Sequence, residues 1–219
     1  MTARARTTGA TPLPDPTDLD ALRKRLAVDG GGRRRPIGMG TVRIGPDVLH
    51  ELAADVAAVR GQGPVVVIAD STAIRRSGAD LKAQVVAALS TRFETRVAVI
   101  AADGPELHTD GAALAQADHA IVGAGCVVAV GSGTITDIAK DASMRAGGIA
   151  LVVVQTAVSV NAFSDDMAVL LRDGVKRTVP SRWPDVLIID LGVIADAPAA
   201  MNRAGFGELC SMFTAPADW

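Results

Sequence analysis

Glycine and hydroxyl residues suited to binding a phosphate group follow one apolar run near the middle of the chain. The run is Cys126–Val130, and the stretch after it, Gly131–Asp137, reads Gly-Ser-Gly-Thr-Ile-Thr-Asp. A Val-rich run is typical of a buried parallel strand, and apolar residues then recur at helical spacing. Glycines let the backbone approach a ligand closely, and the first helical turn offers unpaired N–H groups to an anion. The stretch therefore predicts a phosphate or dinucleotide site; the ligand-free alternative is a helix on which Thr134 and Asp137 form a capping pair.

A carboxylate at the end of another apolar run is the second candidate. Asp70 ends the predicted strand Pro64–Asp70. An acid at the tip of a strand can accept hydrogen bonds from a ribose diol. Its charge would also disfavour a ligand that carries a phosphate group on that ribose. The alternative is that Asp70 is a turn residue or a helix N-cap.

Predicted strands and helices, which must position these residues, alternate along the chain and are separated by short turns. The alternation predicts a parallel, doubly wound sheet, an α/β fold. Asp173-Gly174 lies between two alternating runs of Met167–Val179, which predicts a β-hairpin after the sheet. The predicted strands are Pro36–Ile44, Pro64–Asp70, Thr95–Ile100, Cys126–Val130, Ile149–Val154 and Val186–Asp190; helices are predicted over Asp47–Arg60, Asp80–Leu89, Asp110–Ala120 and Gly205–Trp219.

Composition limits the class of protein. Of the 219 residues, 49% are hydrophobic but only 3% aromatic, so the core must be built from Val, Ile, Leu and Ala, which suits βα repeats. A formal net charge of −2 argues against nucleic-acid and anionic-membrane partners. No apolar run is long enough to span a membrane, and the N-terminus lacks the apolar core of a secretory signal. We therefore expect a cytoplasmic protein.

Residues 1–35 predict a disordered or irregular tail, because they combine Thr, Pro, Gly and Arg without periodicity. Residues 36–197 are expected to form the α/β domain, and 198–219 to begin a helical domain. Cys126 is expected to be a reduced, structural thiol, and no disulfide with Cys210 is expected. The histidines at 50, 108 and 119 have no second metal-type ligand at helical spacing, which predicts ordinary surface residues.

Three segments carry a family resemblance. Gly131–Lys140 resembles the pyrophosphate loop of sn-glycerol-1-phosphate dehydrogenases, which belong with glycerol dehydrogenases, iron-containing alcohol dehydrogenases and 3-dehydroquinate synthases. Gly174–Arg182 and Gly205–Trp219 resemble further parts of the same proteins, so that the resemblance extends from about Ile37 to Trp219. It implies a Rossmann-like nucleotide-binding sheet, a following β-hairpin and the start of a truncated helical domain.

The resemblance also implies roles for individual residues. The cofactor is NAD or NADP, and the substrate is a small molecule. Lys176 and Glu208 would contact the substrate, although Lys176 is also explained as an ordinary hairpin charge. The cofactor-binding positions are Asp70, Gly131, Ser132, Gly133, Thr134, Asp137, Thr156 and Ser159.

The metal site departs from the family pattern. Relatives hold the substrate oxygen on Zn or Fe, which polarises a carbonyl. The position of the family's aspartate ligand is Asn161 here, and a neutral amide oxygen is a poorer ligand for zinc. The other two ligands are histidines of the helical domain, and no histidine follows position 119. Met212 also replaces a lysine of the family's final helix. Metal binding is therefore in doubt, and no catalytic residue is assigned.

Three functions remain open. The first is an NAD(P)-dependent oxidoreductase that acts on the CH–OH group of a small polyol or polyol phosphate. The second is a carbon–oxygen lyase like 3-dehydroquinate synthase. The third is a nucleotide-binding module without catalysis, or half of a split enzyme. An apolar patch on the last helix would favour a homo-oligomer or a partner chain that supplies the helical domain; its residues are Phe206, Leu209, Met212, Phe213 and Trp219.

Overall fold

The computed structural model describes residues 12, 14–29 and 36–215. The chain divides into two compact units, residues 1–37 and residues 38–219. In the first unit, helix α1 spans Leu19–Asp29, and the Asp18 carboxylate accepts the Ala21 amide at 2.9 Å. The prediction of an irregular tail over 1–35 is therefore wrong for α1. An N-terminal Asp cap followed by Leu, Ala, Arg and Lys, all good helix formers, explains why. The rest of that predicted tail lies largely outside the described residues.

The second unit is built on a six-stranded sheet in which every pairing is parallel. The order of strands across the sheet is β1-β10-β7-β6-β2-β5. At the centre, Val130 of the glycine-turn strand is in register with Val154 on one side and Ala69 on the other. The predicted fold class is confirmed. The strands are β1 Thr41–Gly45, β2 Val65–Ala69, β5 Thr95–Val99, β6 Cys126–Gly131, β7 Ala150–Gln155 and β10 Val186–Asp190.

Helices connect the strands. Three of them begin with an aspartate whose carboxylate accepts an amide of the first turn: Asp80, Asp110 and Asp190 cap α3, α4 and α6. The helices of this unit are α2 Leu52–Val59, α3 Leu81–Ser90, α4 Gly111–Ala120, α5 Gly133–Arg145, α6 Leu191–Asp196 and α7 Ala199–Thr214, with short 3-10 turns at Val48–Glu51 and Asn161–Ser164. Helix α7 thus begins earlier than the predicted helix Gly205–Trp219, whose last four residues lie outside the described part of the chain.

The core is aliphatic, as the composition predicts. Every residue of β2 and β6 is buried, which is why these strands are continuous Val-rich runs and do not alternate. Helices α2 and α3 cover one face with side chains that include Val56, Leu81 and Val85, while α5 packs on β6 and against α4. No helix among the described residues is long and apolar enough to cross a membrane.

Two hairpins extend from the sheet. Strands β8 (Met167–Arg172) and β9 (Val175–Pro180) pair in antiparallel register. Asp173 and Gly174 have φ values of 52° and 74°, as the two central residues of the predicted tight turn require. The second hairpin, β3 (Arg75–Arg76) with β4 (Ala79–Asp80), was not predicted. Its strands are too short for an alternating pattern to be recognised in the sequence.

Candidate functional site

The N-terminus of α5 lies at the carboxyl end of the central strand and lacks the side-chain cap that its neighbours have. Ser132 is the N-cap residue, and no hydrogen bond to a side-chain cap forms there within the described chain. The proposed capping pair is wrong, since Thr134 lies inside the first turn and the carboxylate of Asp137 is engaged elsewhere. The amides of the first turn, together with the positive end of the helix dipole, are therefore directed at whatever fills the space in front of them.

That space is a cavity of about 690 Å³. It brings together most of the residues predicted to contact the cofactor or the substrate, although they come from α5, the loop after β7, the β8–β9 hairpin and α7. The predicted residues on its wall are Ser132, Gly133, Thr134, Asp137, Ser159, Asn161, Lys176 and Glu208.

A second cavity, of about 290 Å³, lies on the other side of the same loop. Asp70 and Glu106 are in its wall, and it shares Ser132 and Thr134 with the larger cavity. The two adjacent cavities are together called the cleft, which lies at the carboxyl ends of β2 and β6. From β2 the chain continues outward to β5, whereas from β6 it continues to β7 on the opposite side. The cleft thus lies at the topological switch point, where open α/β sheets bind nucleotides.

Two predicted residues, Gly131 and Thr156, are in the wall of neither cavity. The Thr156 hydroxyl is buried and donates to the Gly131 carbonyl at 2.6 Å. A Cβ atom on Gly131 would lie 2.7 Å from Cγ1 of Ile135, so a glycine is needed for α5 to pack closely against the end of β6. These residues support the loop from behind.

A buried ion pair on α5 holds one wall of the larger cavity. Lys140 is fully buried, and its ammonium donates to the Ala162 carbonyl at 2.8 Å and to Asp165 Oδ1 at 2.7 Å. It also donates to the Met167 carbonyl and lies 3.3 Å from Oδ1 of Asp137. The segment 161–167 is thereby fastened to α5.

Asp137 forms a second link from α5, to the hairpin. Its Oδ2 accepts the Val169 amide of β8 at 3.1 Å. Burial raises the pKa of Asp137 above its ordinary value, although the charge of Lys140 and the amide of Val169 lower it in part. Sequence analysis did not identify Lys140, yet the Asp137–Lys140 spacing of three residues on one helix was an available signal.

The β8–β9 hairpin is fixed from its other side by the start of α4. The Thr109 hydroxyl donates to the Val169 carbonyl at 2.5 Å, and the Thr109 backbone carbonyl accepts the Leu171 amide at 3.0 Å. Leu171 is in register with Lys176, and both are in the wall of the larger cavity. His108, predicted to be an ordinary surface histidine, also belongs to that wall.

Helix α7 closes the cavity from the opposite side and carries Glu208. The Asn202 side chain fastens it by accepting the Val158 amide at 3.0 Å and donating to the Ile194 carbonyl at 2.8 Å. Gly205 approaches the Val158 carbonyl so closely that a Cβ atom there would lie 2.1 Å from the oxygen. Neither residue was identified from the sequence, because their partners are remote in the chain.

Among the described residues, the side chains around Asn161 are a poor set of metal ligands. Asn161 is exposed at the start of its 3-10 turn, and nearby Asp165 is already bound to Lys140. Within residues 12, 14–29 and 36–215, no group of three or more His, Cys, Asp or Glu is arranged to hold a metal ion. An amide oxygen without carboxylate or imidazole partners is a weak ligand set for Zn²⁺ or Fe²⁺.

The fold is a parallel α/β sheet with a cleft at its switch point, and comparisons with known proteins give its family. The sequence model of the iron-containing alcohol dehydrogenase family matches residues 43–198. The chain belongs to this family, which confirms the resemblance found in the sequence.

Individual relatives match only in part. Glycerol-1-phosphate dehydrogenase [NAD(P)+] of Bacillus velezensis is 37% identical over 93 residues, which are 42% of this chain and 23% of the relative. The protein of that name from Aeropyrum pernix is 38% identical over 93 residues, 42% of this chain and 26% of the relative. The matched stretch thus spans about a quarter of the length of these curated relatives.

Solved structures match over a longer stretch and show the fold. A probable glycerol dehydrogenase from Sinorhizobium meliloti superposes with a TM-score of 0.64 at 23% identity, covering 81% of this chain and 47% of that protein. A 1,3-propanediol oxidoreductase superposes with a TM-score of 0.65 at 18% identity, covering 78% of this chain and 49% of that protein. The chain therefore corresponds to about half of each of these structures.

Proposed function

We propose that this chain is the cofactor-binding part of an NAD(P)-dependent oxidoreductase that acts on the CH–OH group of a small polyol or polyol phosphate. Membership of the iron-containing alcohol dehydrogenase family supports this. So do relatives named glycerol-1-phosphate dehydrogenase [NAD(P)+].

One observation carries the proposal: the uncapped N-terminus of α5 lies between two adjacent cavities at the switch point of the sheet. A dinucleotide has two ends joined by a pyrophosphate, and the cleft has the same layout. The amides of Gly133 and Thr134 would hold the pyrophosphate, Asp70 would hold the adenosine ribose, and the wall of the larger cavity beside Ser159 would hold the nicotinamide.

In this proposal, the chain's own residues bind and orient the cofactor and the substrate. When bound, the cofactor supplies a hydride acceptor or donor for the hydroxyl-bearing carbon. Lys176 provides a positive charge for an anionic substrate group, with His108 on the same wall. The carboxylate of Glu208 faces them from α7 and can accept a hydrogen bond from a substrate hydroxyl. The described residues do not form a metal site, so no step is assigned to a metal.

A nucleotide-binding module without its own catalysis is the second candidate. It is favoured by Asn161, which stands at the position of the family's aspartate metal ligand. Turnover separates the two, and we would assay glycerol, glycerol-1-phosphate and dihydroxyacetone phosphate with either cofactor and Zn²⁺. Turnover, with or without Zn²⁺, supports the oxidoreductase, whereas cofactor binding without turnover supports the module.

Cofactor binding is tested by Gly133→Val. The new side chain would occupy the anion position at the first turn, and its Cβ would lie 2.8 Å from Cγ2 of Val160. Titration calorimetry with NADH should show a loss of affinity of at least about tenfold, the cost of a lost charge-assisted contact. The control is Gly111→Val at the first residue of α4, where a Cβ atom has nothing within 4 Å among the described residues. Equal affinity of the Gly133 variant and the wild type would remove the loop from the site.

We also infer that the outer face of α7 contacts further protein. Phe206 and Phe213 are 74% and 83% exposed, and Leu209 and Met212 are exposed beside them. The predicted fifth member of this patch, Trp219, lies outside the described residues. An apolar face of this kind is typical of an interaction surface. Sedimentation of a Phe206→Ser, Phe213→Ser double variant would reveal a change in self-association; an unchanged distribution would exclude pairing of copies through this face.

A further inference from the structure

Lys82 is placed to modify the charge of the predicted ribose-binding acid. It is the second residue of α3, and its ammonium donates to the carbonyls of Asp70 and, at 2.6 Å, of Thr72. The same nitrogen lies 3.6 Å from Oδ1 of Asp70. Both side chains are mostly buried, with 19% of Lys82 and 14% of Asp70 exposed, so solvent screens this pair less than it would a surface pair.

The carboxylate of Asp70 keeps one oxygen for a ligand. Its Oδ1 accepts the Thr72 amide at 3.0 Å and faces Lys82. Within the described chain, no hydrogen bond is made to Oδ2. An ionised acid on its own would bind a ribose diol and repel a 2′-phosphate. With an ammonium this close, the repulsion is largely cancelled while the hydrogen-bond acceptor remains.

We propose that Lys82 determines cofactor specificity: by neutralising Asp70, it lets the site accept NADP(H) as well as NAD(H). This rests on the proposed function, because it assumes a dinucleotide in the cleft. Besides Asp70, the wall of the smaller cavity holds the charged residue Glu106, whose repulsion of a phosphate makes the neutralising lysine more necessary. The lysine acts on the end of the cofactor that carries no reacting atoms, so it alters binding and leaves the chemistry of the nicotinamide unchanged.

A purely structural role predicts a different result. The bonds from Lys82 to two carbonyls also fasten the turn 70–72. Loosening that turn would weaken both cofactors equally, since both place the same ribose there. A role in specificity changes the ratio of the two dissociation constants.

The test is Lys82→Met, which keeps the length of the side chain and removes its charge. Fluorescence titration should show that NADPH loses about tenfold more affinity than NADH, because Asp70 without its ammonium neighbour repels the 2′-phosphate. Lys82→Arg keeps the charge and should keep the ratio near that of the wild type. Arg96→Met controls for the change in net charge, because Arg96 is a half-exposed residue of edge strand β5 whose partner is its neighbour Glu94.

Asp70→Asn in the Lys82→Met background completes the test. The two side chains are coupled, so the effects of their substitutions should not add. Removing the carboxylate that Lys82 no longer neutralises should restore part of the lost NADPH affinity. Equal weakening of both cofactors by Lys82→Met, or an absence of recovery in the double variant, would overturn the specificity role. If the wild-type chain binds neither cofactor, the proposed function fails instead, so the two failures are distinguishable.

Discussion

Lys140 and Asp165 lie 2.7 Å apart, and the lysine is completely buried although it is not directed into the cleft. Its ammonium uses the oxygens of the segment 161–167 as its ligands. A buried charge of this kind is tolerated only when its partners are in place. The side chain thus holds the loop that carries Asn161 at a fixed distance from the helix that carries the glycine turn.

Lys140→Met should therefore destabilise the protein strongly. It leaves the buried Asp137 and the partly buried Asp165 without their cation, and breaking a buried pair in this way costs about 3 kcal/mol of unfolding free energy. Urea unfolding followed by circular dichroism measures the change. Lys176→Met, which removes an exposed lysine of β9, should change the free energy by less than about 0.5 kcal/mol. Similar values for the two variants would show that the buried lysine does not stabilise the loop.

Asp190 should make stability depend on pH in the acid range. Burial alone would raise its pKa, but Arg76 and the amides of Leu49 and Gly192 outweigh this, so that the pKa of Asp190 is lowered from its ordinary value of 3.8. Because the folded-state pKa is the lower one, its contribution to stability is fully present above pH 3.8 and is lost as pH falls toward the folded-state pKa.

The variant Asp190→Asn tests this. The loss in unfolding free energy relative to wild type should be about 3 kcal/mol at pH 7, because Arg76 is left without a buried partner. At pH 3 the difference should be smaller, since the unfolded wild-type chain then binds a proton at this carboxyl group and the wild type loses part of its stability advantage. Denaturant titrations at both pH values give the two differences. Equal differences would show that the charge of Asp190 does not contribute.

The two cysteines should differ in reactivity. Cys126 is buried in β6 and Cys210 is exposed on α7. Burial, with a smaller effect from Asp185, raises the pKa of Cys126 to about 12, so the thiolate needed for reaction is almost absent at pH 8. Ellman's reagent should titrate one thiol in the native protein and both in guanidinium chloride. Rapid reaction of both thiols in the native state would mean that the central strand opens readily.

The sequence allowed the sheet to be predicted because its signals are local. Buried parallel strands are short Val-rich runs, and the Asp-Gly turn identifies its own hairpin. The glycine turn was located for the same reason. The contacts that hold the walls of the cleft in place were harder to predict. Lys140, Asn202 and Lys82 make them to backbone carbonyls and amides, which carry no sequence signature. Their partners are known only once the chain has folded.

The position of α7 depends on a glycine whose neighbour is remote in sequence. A Cβ atom on Gly205 would lie 2.1 Å from the Val158 carbonyl oxygen, which belongs to the backbone and cannot turn aside. Gly205→Ala should therefore push the helix away from the loop that leads to Ser159. Overpacking of this type costs about 1–3 kcal/mol.

Gly207→Ala is the matched control, because a Cβ atom there has nothing within 4 Å among the described residues. An alanine at an open helical position should stabilise the helix by about 0.5–1 kcal/mol, so the two substitutions are expected to have opposite signs. Hydrogen exchange should show faster exchange of the α7 amides in Gly205→Ala only. The Val158 amide, whose acceptor is Asn202 of the same helix, should lose its protection with them, because displacing α7 breaks that hydrogen bond. Unchanged protection of the Val158 amide in Gly205→Ala would show that α7 does not form the wall of the cleft in solution.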